Sequence, residues 1–142
     1  MKQTLVRVVL AEDNEVIRAG IRKLLNKAQD IEVVGEVGNG VAAIRLLDQL
    51  RPDVLLLDIE MPLLNGIEVA RQLKDNHNSV PILVLSAYTN REYIRLMLDF
   101  GVSGYLLKDE APERIVEAVR EVARGQTGWV SPQVRAKFDS NH

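Results

Sequence analysis

The chain contains no cysteine. That excludes a disulfide framework and any thiolate metal site. An excess of one charge sign is also missing: the formal net charge is -2 and the pI is about 5.7. The basic footprint of a nucleic-acid binder is therefore absent from the chain taken as a whole. No apolar run is long enough to span a bilayer, and Met1-Lys2-Gln3-Thr4 leads straight into a strand-like run without a cleavable signal. These absences point to a soluble protein of a reducing compartment, with cytoplasm as the expected location and no membrane partner. What remains is ordinarily globular, 46% hydrophobic and 27% charged over 142 residues. That composition excludes a disordered or low-complexity chain, and the length suits one domain with a sizeable core.

The stretch Asp53-Val54-Leu55-Leu56-Leu57-Asp58 is the organising feature. A short apolar run without polar alternation reads as a strand buried on both faces. It delivers Asp58 to the edge of a sheet. Around it the chain alternates. Leu5 to Leu10 is a first strand, ending in Ala11-Glu12-Asp13-Asn14, and Val16, Ile17, Ile21, Leu24, Leu25 and Ala28 recur at helical spacing. Ile31 to Val37, broken by Gly35, is a second strand; Asn39-Gly40 caps a second helix. After the central strand, Asn65 with Glu68 forms a capping-box pattern for a third helix. Pro81 to Ser86 is a fourth strand, and Thr89 with Glu92 predicts the start of a fourth helix that Gly101 stops. Val102 to Leu107 is a fifth strand, and a fifth helix begins near Pro112 and closes at Gly125.

Strand and helix thus repeat five times. The pattern predicts an α/β fold with a parallel sheet and helices on both faces. Ligands of such sheets bind outside the carboxyl ends of the strands, near the point where strand order reverses. Strand one ends there in Glu12 and Asp13, strand three in Asp58, strand four in Ser86 and strand five in Lys108; strand two, ending at Val37-Gly38, contributes nothing obvious. Three carboxylates on one rim repel one another and call for a hard cation with oxygen ligands, Mg²⁺ or Mn²⁺. Such an ion keeps Asp58 ionised as a nucleophile, which suggests phosphoryl transfer with an aspartyl-phosphate product. Lys108 suits one phosphoryl oxygen and the Ser86 hydroxyl another. Singly, each residue reads more simply as a cap, a turn former or a surface charge. Jointly, four of five strands ending in parts of one reaction is hard to ascribe to capping.

Glu12-Asp13, Asp58 within "LLLDIEMP", Asn65-Gly66, Ser86-Ala87 and Tyr105-Leu106-Leu107-Lys108 together resemble the receiver domain of a two-component response regulator. The resemblance covers about residues 5 to 124. It implies a single flavodoxin-like (βα)5 domain, doubly wound, with five strands in the order 2-1-3-4-5. It implies that Asp58 accepts a phosphoryl group from the phosphohistidine of a sensor histidine kinase. Asp13, Asp58 and the backbone carbonyl of Glu60 would hold Mg²⁺, with Glu12 assisting through water. Lys108 and Ser86 would contact the phosphoryl group, Ser86 and Tyr105 would form a switch, and Tyr88 would tune phosphoryl lifetime. In that switch Ser86 moves toward the phosphoryl group and Tyr105 turns inward, altering the face made by helix four, strand five and helix five. Dimerisation through that face is the implied consequence. The domain is not implied to be an enzyme beyond phosphorylating itself from a donor and slowly losing the group.

Lys108 is followed by Asp109 where many receivers have proline, so no cis peptide is expected. Lys-Asp is usual in the subgroup whose output is a LuxR-type helix-turn-helix domain, and Gly128-Trp129-Val130-Ser131-Pro132-Gln133-Val134 resembles the linker leading to it. Residues 1–125 are therefore expected to be the receiver and 126–142 a linker, in a fragment whose DNA-binding domain lies beyond His142. His77 and His142 read as surface residues. Two enzyme or cofactor classes fit less well: a haloacid-dehalogenase-type phosphatase places an Asp where Glu60 stands, and a flavodoxin-like cofactor site needs a phosphate loop where Glu12-Asp13 would repel a phosphate. A degenerate receiver acting only by binding conflicts with the intact Asp58, Asp13 and Lys108.

Overall fold

A computed structural model describes residues 5–87, 90–110 and 112–139. The elements follow in the order β1 (Val6–Ala11), α1 (Glu15–Lys27), β2 (Ile31–Val37), α2 (Gly40–Leu50), β3 (Val54–Leu57) and α3 (Gly66–Asp75). Then come β4 (Ile82–Ser86), α4 (Arg91–Asp99), β5 (Gly104–Leu107), α5 (Pro112–Ala123), β6 (Trp129–Val130) and α6 (Pro132–Asp139). The strands form one parallel sheet in the order β2-β1-β3-β4-β5-β6. Strand order reverses between β1 and β3, so the crevice outside their carboxyl ends is where a ligand site belongs.

The period of two along each strand divides the core. Val9, Ala11, Leu55, Leu57, Tyr105 and Leu107 face one layer, with Ala43 and Leu47 of α2, Val69 and Leu73 of α3, and Ile94 and Met97 of α4. Val8, Leu10, Val54, Leu56 and Leu106 face the other, with Ile21 and Leu25 of α1 and Ile115, Val119 and Val122 of α5. All four side chains of β3 are fully buried, each stabilising the fold by about 1.5–3 kcal/mol. The helix starts follow their caps. Asn14 Oδ1 accepts from the amides of Val16 and Ile17, and Asn39 Oδ1 from that of Ala42. Asn65 and Glu68 close a reciprocal capping box.

Two expectations change. Among the described residues the sheet has six strands, not five. Trp129 and Val130 pair with Gly104 and Tyr105 along the outer edge of β5. Gly104 permits this, because a Cβ there would lie 2.8 Å from the Trp129 carbonyl oxygen. Behind β6, the Ser131 hydroxyl accepts from the Val134 amide at 3.2 Å, and Pro132 occupies the first turn of α6, a sound helix start. Val134 is buried with Ile94, Met97 and Tyr105. Helix α4 also begins differently: its cap is Asn90, whose Oδ1 accepts from the Glu92 amide at 2.7 Å. Thr89 lies outside the described residues.

One ion pair ties distant parts of the second layer. Arg120 of α5 grips Asp30, in the turn before β2, through two hydrogen bonds of 2.8 Å. Its guanidinium holds the Asp30 carboxyl below the usual carboxylate range. Both side chains are partly exposed, so Arg120→Ala is expected to cost about 1 kcal/mol in urea unfolding at neutral pH. Because the folded-state value is lowered, this contribution is present above pH 3.8, the ordinary value, and is lost as pH falls further. An Arg120→Ala protein as stable as wild type at pH 7 would remove the pair from the fold's energetics.

Candidate metal and phosphoryl site

The sheet ladder itself positions the reactive residues. Glu12, Asp58 and Lys108 are each the first residue past a strand, and each backbone amide still donates to a neighbouring strand. Glu12 donates to the Val37 carbonyl at 3.0 Å, Asp58 to that of Ala11 at 3.0 Å, and Lys108 to that of Ser86 at 2.9 Å. Three points of one rim are thereby fixed by main-chain geometry. Gly66 lets the start of α3 come close beside them. A Cβ there would lie 2.8 Å from Ile59 Cα, and its amide donates to the Ile59 carbonyl at 2.8 Å.

Glu12 and Asp58 are buried, at 1% and 4% exposure. Lys108 Nζ bridges them, 2.8 Å from Glu12 Oε1 and 3.2 Å from Asp58 Oδ1. Glu12 Oε2 accepts from the Asn14 amide at 3.1 Å. Asp58 Oδ2 is buried with no hydrogen-bond partner among the described residues. Asp13 is exposed at the rim, and carboxylate oxygens of Glu12, Asp13 and Asp58 lie within 4.8 Å of one another. Glu60 is exposed and lines the same cleft as Asp13, with Asn65 and Tyr93.

The electrostatics follow from this packing. Burial pushes the Asp58 carboxyl up, the Glu12 charge pushes it further, and Lys108 opposes both; the outcome is about 7. Burial pulls the Lys108 ammonium down, but its hydrogen bond to Glu12 and the charges of Asp58 and Glu12 outweigh this, so it is held above its ordinary value. Two buried carboxylates thus share one cation, and an open buried oxygen remains. Hard oxygen donors converging around an unpartnered carboxylate oxygen fit Mg²⁺ or Mn²⁺.

Ser86 and Tyr105 lie together beneath this rim, both fully buried. Burial raises the Tyr105 hydroxyl, while a hydrogen bond with the Ser86 side chain lowers it, leaving it above the usual phenol value. Tyr105 is therefore already inward, where it was expected only after phosphorylation. Tyr88 and His142 lie outside the described residues, and His77 is exposed in the turn after α3. Sequence reasoning missed Glu110. It is buried, and its Oε2 accepts from the Leu107 amide at 3.0 Å, closing the turn that carries Lys108. The only signal was an acid two residues after Lys108, in a run that reads as solvated charge. No peptide bond among the described residues is cis, including that after Lys108.

The response regulator receiver domain family matches residues 8–120. The chain is 38% identical over 126 residues to an uncharacterised transcriptional regulatory protein, YxjL, of Bacillus subtilis, covering 89% of this chain and 58% of that protein. It is 39% identical over 119 residues to the nitrate/nitrite response regulator NarL of Escherichia coli, covering 84% of this chain and 55% of that one. The solved signal receiver domain of a NarL response regulator from Mycobacterium tuberculosis superposes with a TM-score of 0.83 at 35% identity. That alignment covers 87% of this chain and 99% of the solved one. The chain spans a little over half the length of these two curated relatives. With residues 8–120 matched and the acid cluster and lysine at the carboxyl edge of the sheet, the chain belongs to the response regulator receiver domain family.

Proposed function

We propose that this domain is the phosphoacceptor of a signalling switch, with Asp58 taking a phosphoryl group from the phosphohistidine of a sensor histidine kinase. The observation that carries this reading is the buried Glu12–Lys108–Asp58 arrangement with Asp13 beside it. In the transfer, an Asp58 carboxylate oxygen forms the new O–P bond as the N–P bond of the donor breaks, and the departing imidazole takes up a proton. Asp13, Asp58 and the Glu60 backbone carbonyl would hold Mg²⁺ (or Mn²⁺), with Glu12 reaching it through water; the ion supplies charge neutralisation. Lys108 would exchange Asp58 Oδ1 for a phosphoryl oxygen, a short move for a flexible ammonium.

Ser86 would be the second donor. Its hydroxyl is engaged with Tyr105, so turning it toward the phosphoryl group releases that bond. Tyr105 pairs with Val130 of β6 and shares a core with Ile94, Met97 and Val134. A new doubly charged group on Asp58 would therefore bias α4, β5, β6 and α6 together, the face through which dimerisation would follow. Residues 126–142 would lead to an output domain that binds DNA and controls transcription in the cytoplasm. The domain acts on no separate substrate; it phosphorylates itself from a donor and slowly loses the group.

Incubated with Mg²⁺ and a small acyl phosphate, the protein is expected to gain one phosphoryl group by intact mass, and to gain none in EDTA. No gain in Mg²⁺ from a donor shown to be active would overturn the reading.

A further inference from the structure

Glu12 is held at four points. Its amide donates to β2, one carboxylate oxygen meets Lys108, and the other accepts from Asn14. The fourth contact comes from a residue the reaction does not use. Arg18 Nη1, from α1, donates to the Glu12 carbonyl at 2.7 Å. That carbonyl belongs to the peptide plane joining Glu12 to Asp13. Holding it sets the direction in which the chain enters Asp13, which is exposed.

The guanidinium is itself held. Arg18 Nε lies 3.4 Å from Glu36 Oε1, and Arg22 grips both Glu36 carboxylate oxygens at 2.9–3.0 Å. Gly38, the residue after β2, leaves room for it: a Cβ there would lie 3.2 Å from Arg18 Nη1 and 3.8 Å from Asp13 Cα. So the end of β2, which brings no reactive group, shapes the slot through which Arg18 reaches the acid pair. We infer that Arg18 is a positioning residue for the cation site: it orients the Glu12–Asp13 peptide so that the Asp13 carboxylate faces Asp58. This rests on the metal-binding reading above.

Charge and positioning make opposite predictions. Removing a positive charge near a cation site should by Coulomb attraction tighten Mg²⁺ binding. Losing an outer contact that orients a ligand should weaken it, by about tenfold. The experiment is calorimetric titration of the full chain with MgCl₂, beside thermal unfolding in EDTA and the Asp13 amide resonance of the metal-free protein. Arg18→Ala is expected to raise the Mg²⁺ dissociation constant about tenfold and to move the Asp13 resonance. Arg22→Ala, which loosens only the outer pair with Glu36, is expected to stay within about twofold of wild type. Arg18→Lys keeps the charge but cannot span Glu12 and Glu36 together, and should weaken Mg²⁺ severalfold; it stands in if Arg18→Ala does not unfold cooperatively. Unchanged or tighter Mg²⁺ binding in the folded Arg18 variant overturns the inference while the site reading survives. A wild-type protein that binds no Mg²⁺ overturns both.

Discussion

Asp58→Asn is expected to take up no phosphoryl group from an acyl phosphate in Mg²⁺, and Lys108→Ala to take it up about 100- to 1,000-fold more slowly than wild type. The first follows because the Asn amide cannot form the acyl-phosphate bond, whatever else stays in place. The second follows from position. Lys108 Nζ is the cation that reaches both buried carboxylates, so it can meet charge developing on the transferring group without solvent rearrangement. Its loss has a second signature. Glu12 and Asp58 would remain buried without their shared partner, and breaking such a set destabilises by about 3–5 kcal/mol. In urea unfolding at pH 7.5, metal-free Lys108→Ala should therefore be the least stable of the site variants, with Mg²⁺ recovering much of the difference. Asp58→Asn, which removes a like charge instead, should be more stable than wild type in EDTA. A Lys108→Ala protein that is phosphorylated at the wild-type rate, or an Asp58→Asn protein that gains one phosphoryl group, would contradict this assignment.

How far the sequence led can be judged from particular residues. β3 was legible because it is buried on both faces, so its apolar run is unbroken and Asp58 marks its end. Asn39 and Asn65 were legible because a cap must be a short polar side chain. Thr89 and Asn90 are two such residues in a row, and spacing to Glu92 favours the former; the structure uses Asn90 with the Glu92 amide. β6 was missed for a physical reason. Two residues have no periodicity, and what makes them a strand is the bare edge of β5 beside Gly104, 25 residues earlier in the chain. Ser131-Pro132 did carry a helix-start signal, hidden by reading the whole tail as a linker. The constellation of strand ends could be listed from sequence, but not its pairing. Contact between Lys108 and Glu12, Arg18 reaching the Glu12 carbonyl, and Glu110 buried beneath its own turn depend on approaches that no local pattern encodes.

Without Mg²⁺ the protein is expected to lose about 2–4 kcal/mol of stability as pH rises from about 4 to about 7.5, and Mg²⁺ is expected to cancel much of that loss. The sign comes from Asp58. Burial and the Glu12 charge raise its folded-state value from 3.8 to about 7. Between those values the folded state binds a proton that the unfolded chain has released, so stability falls with rising pH, at up to about 1.4 kcal/mol per unit. The slope ends above the folded value, where both states are ionised. Asp30 acts in the opposite sense and below this window, since its value is lowered. A bound cation stabilises only the state with the carboxylates assembled and ionised; at one hundred times its dissociation constant the gain is about 2.7 kcal/mol, comparable with the loss. Repulsion held in the metal-free pocket is thus the same interaction that makes the pocket receptive to Mg²⁺ and then to a phosphoryl group. Urea unfolding of wild type and Asp58→Asn at half-unit pH steps, in EDTA and in Mg²⁺, separates the contributions. Wild type should slope downward in EDTA and flatten in Mg²⁺, and Asp58→Asn should be flat in both. Equal slopes for the two proteins in EDTA would place the pH dependence elsewhere and remove Asp58 as the strained group of the site.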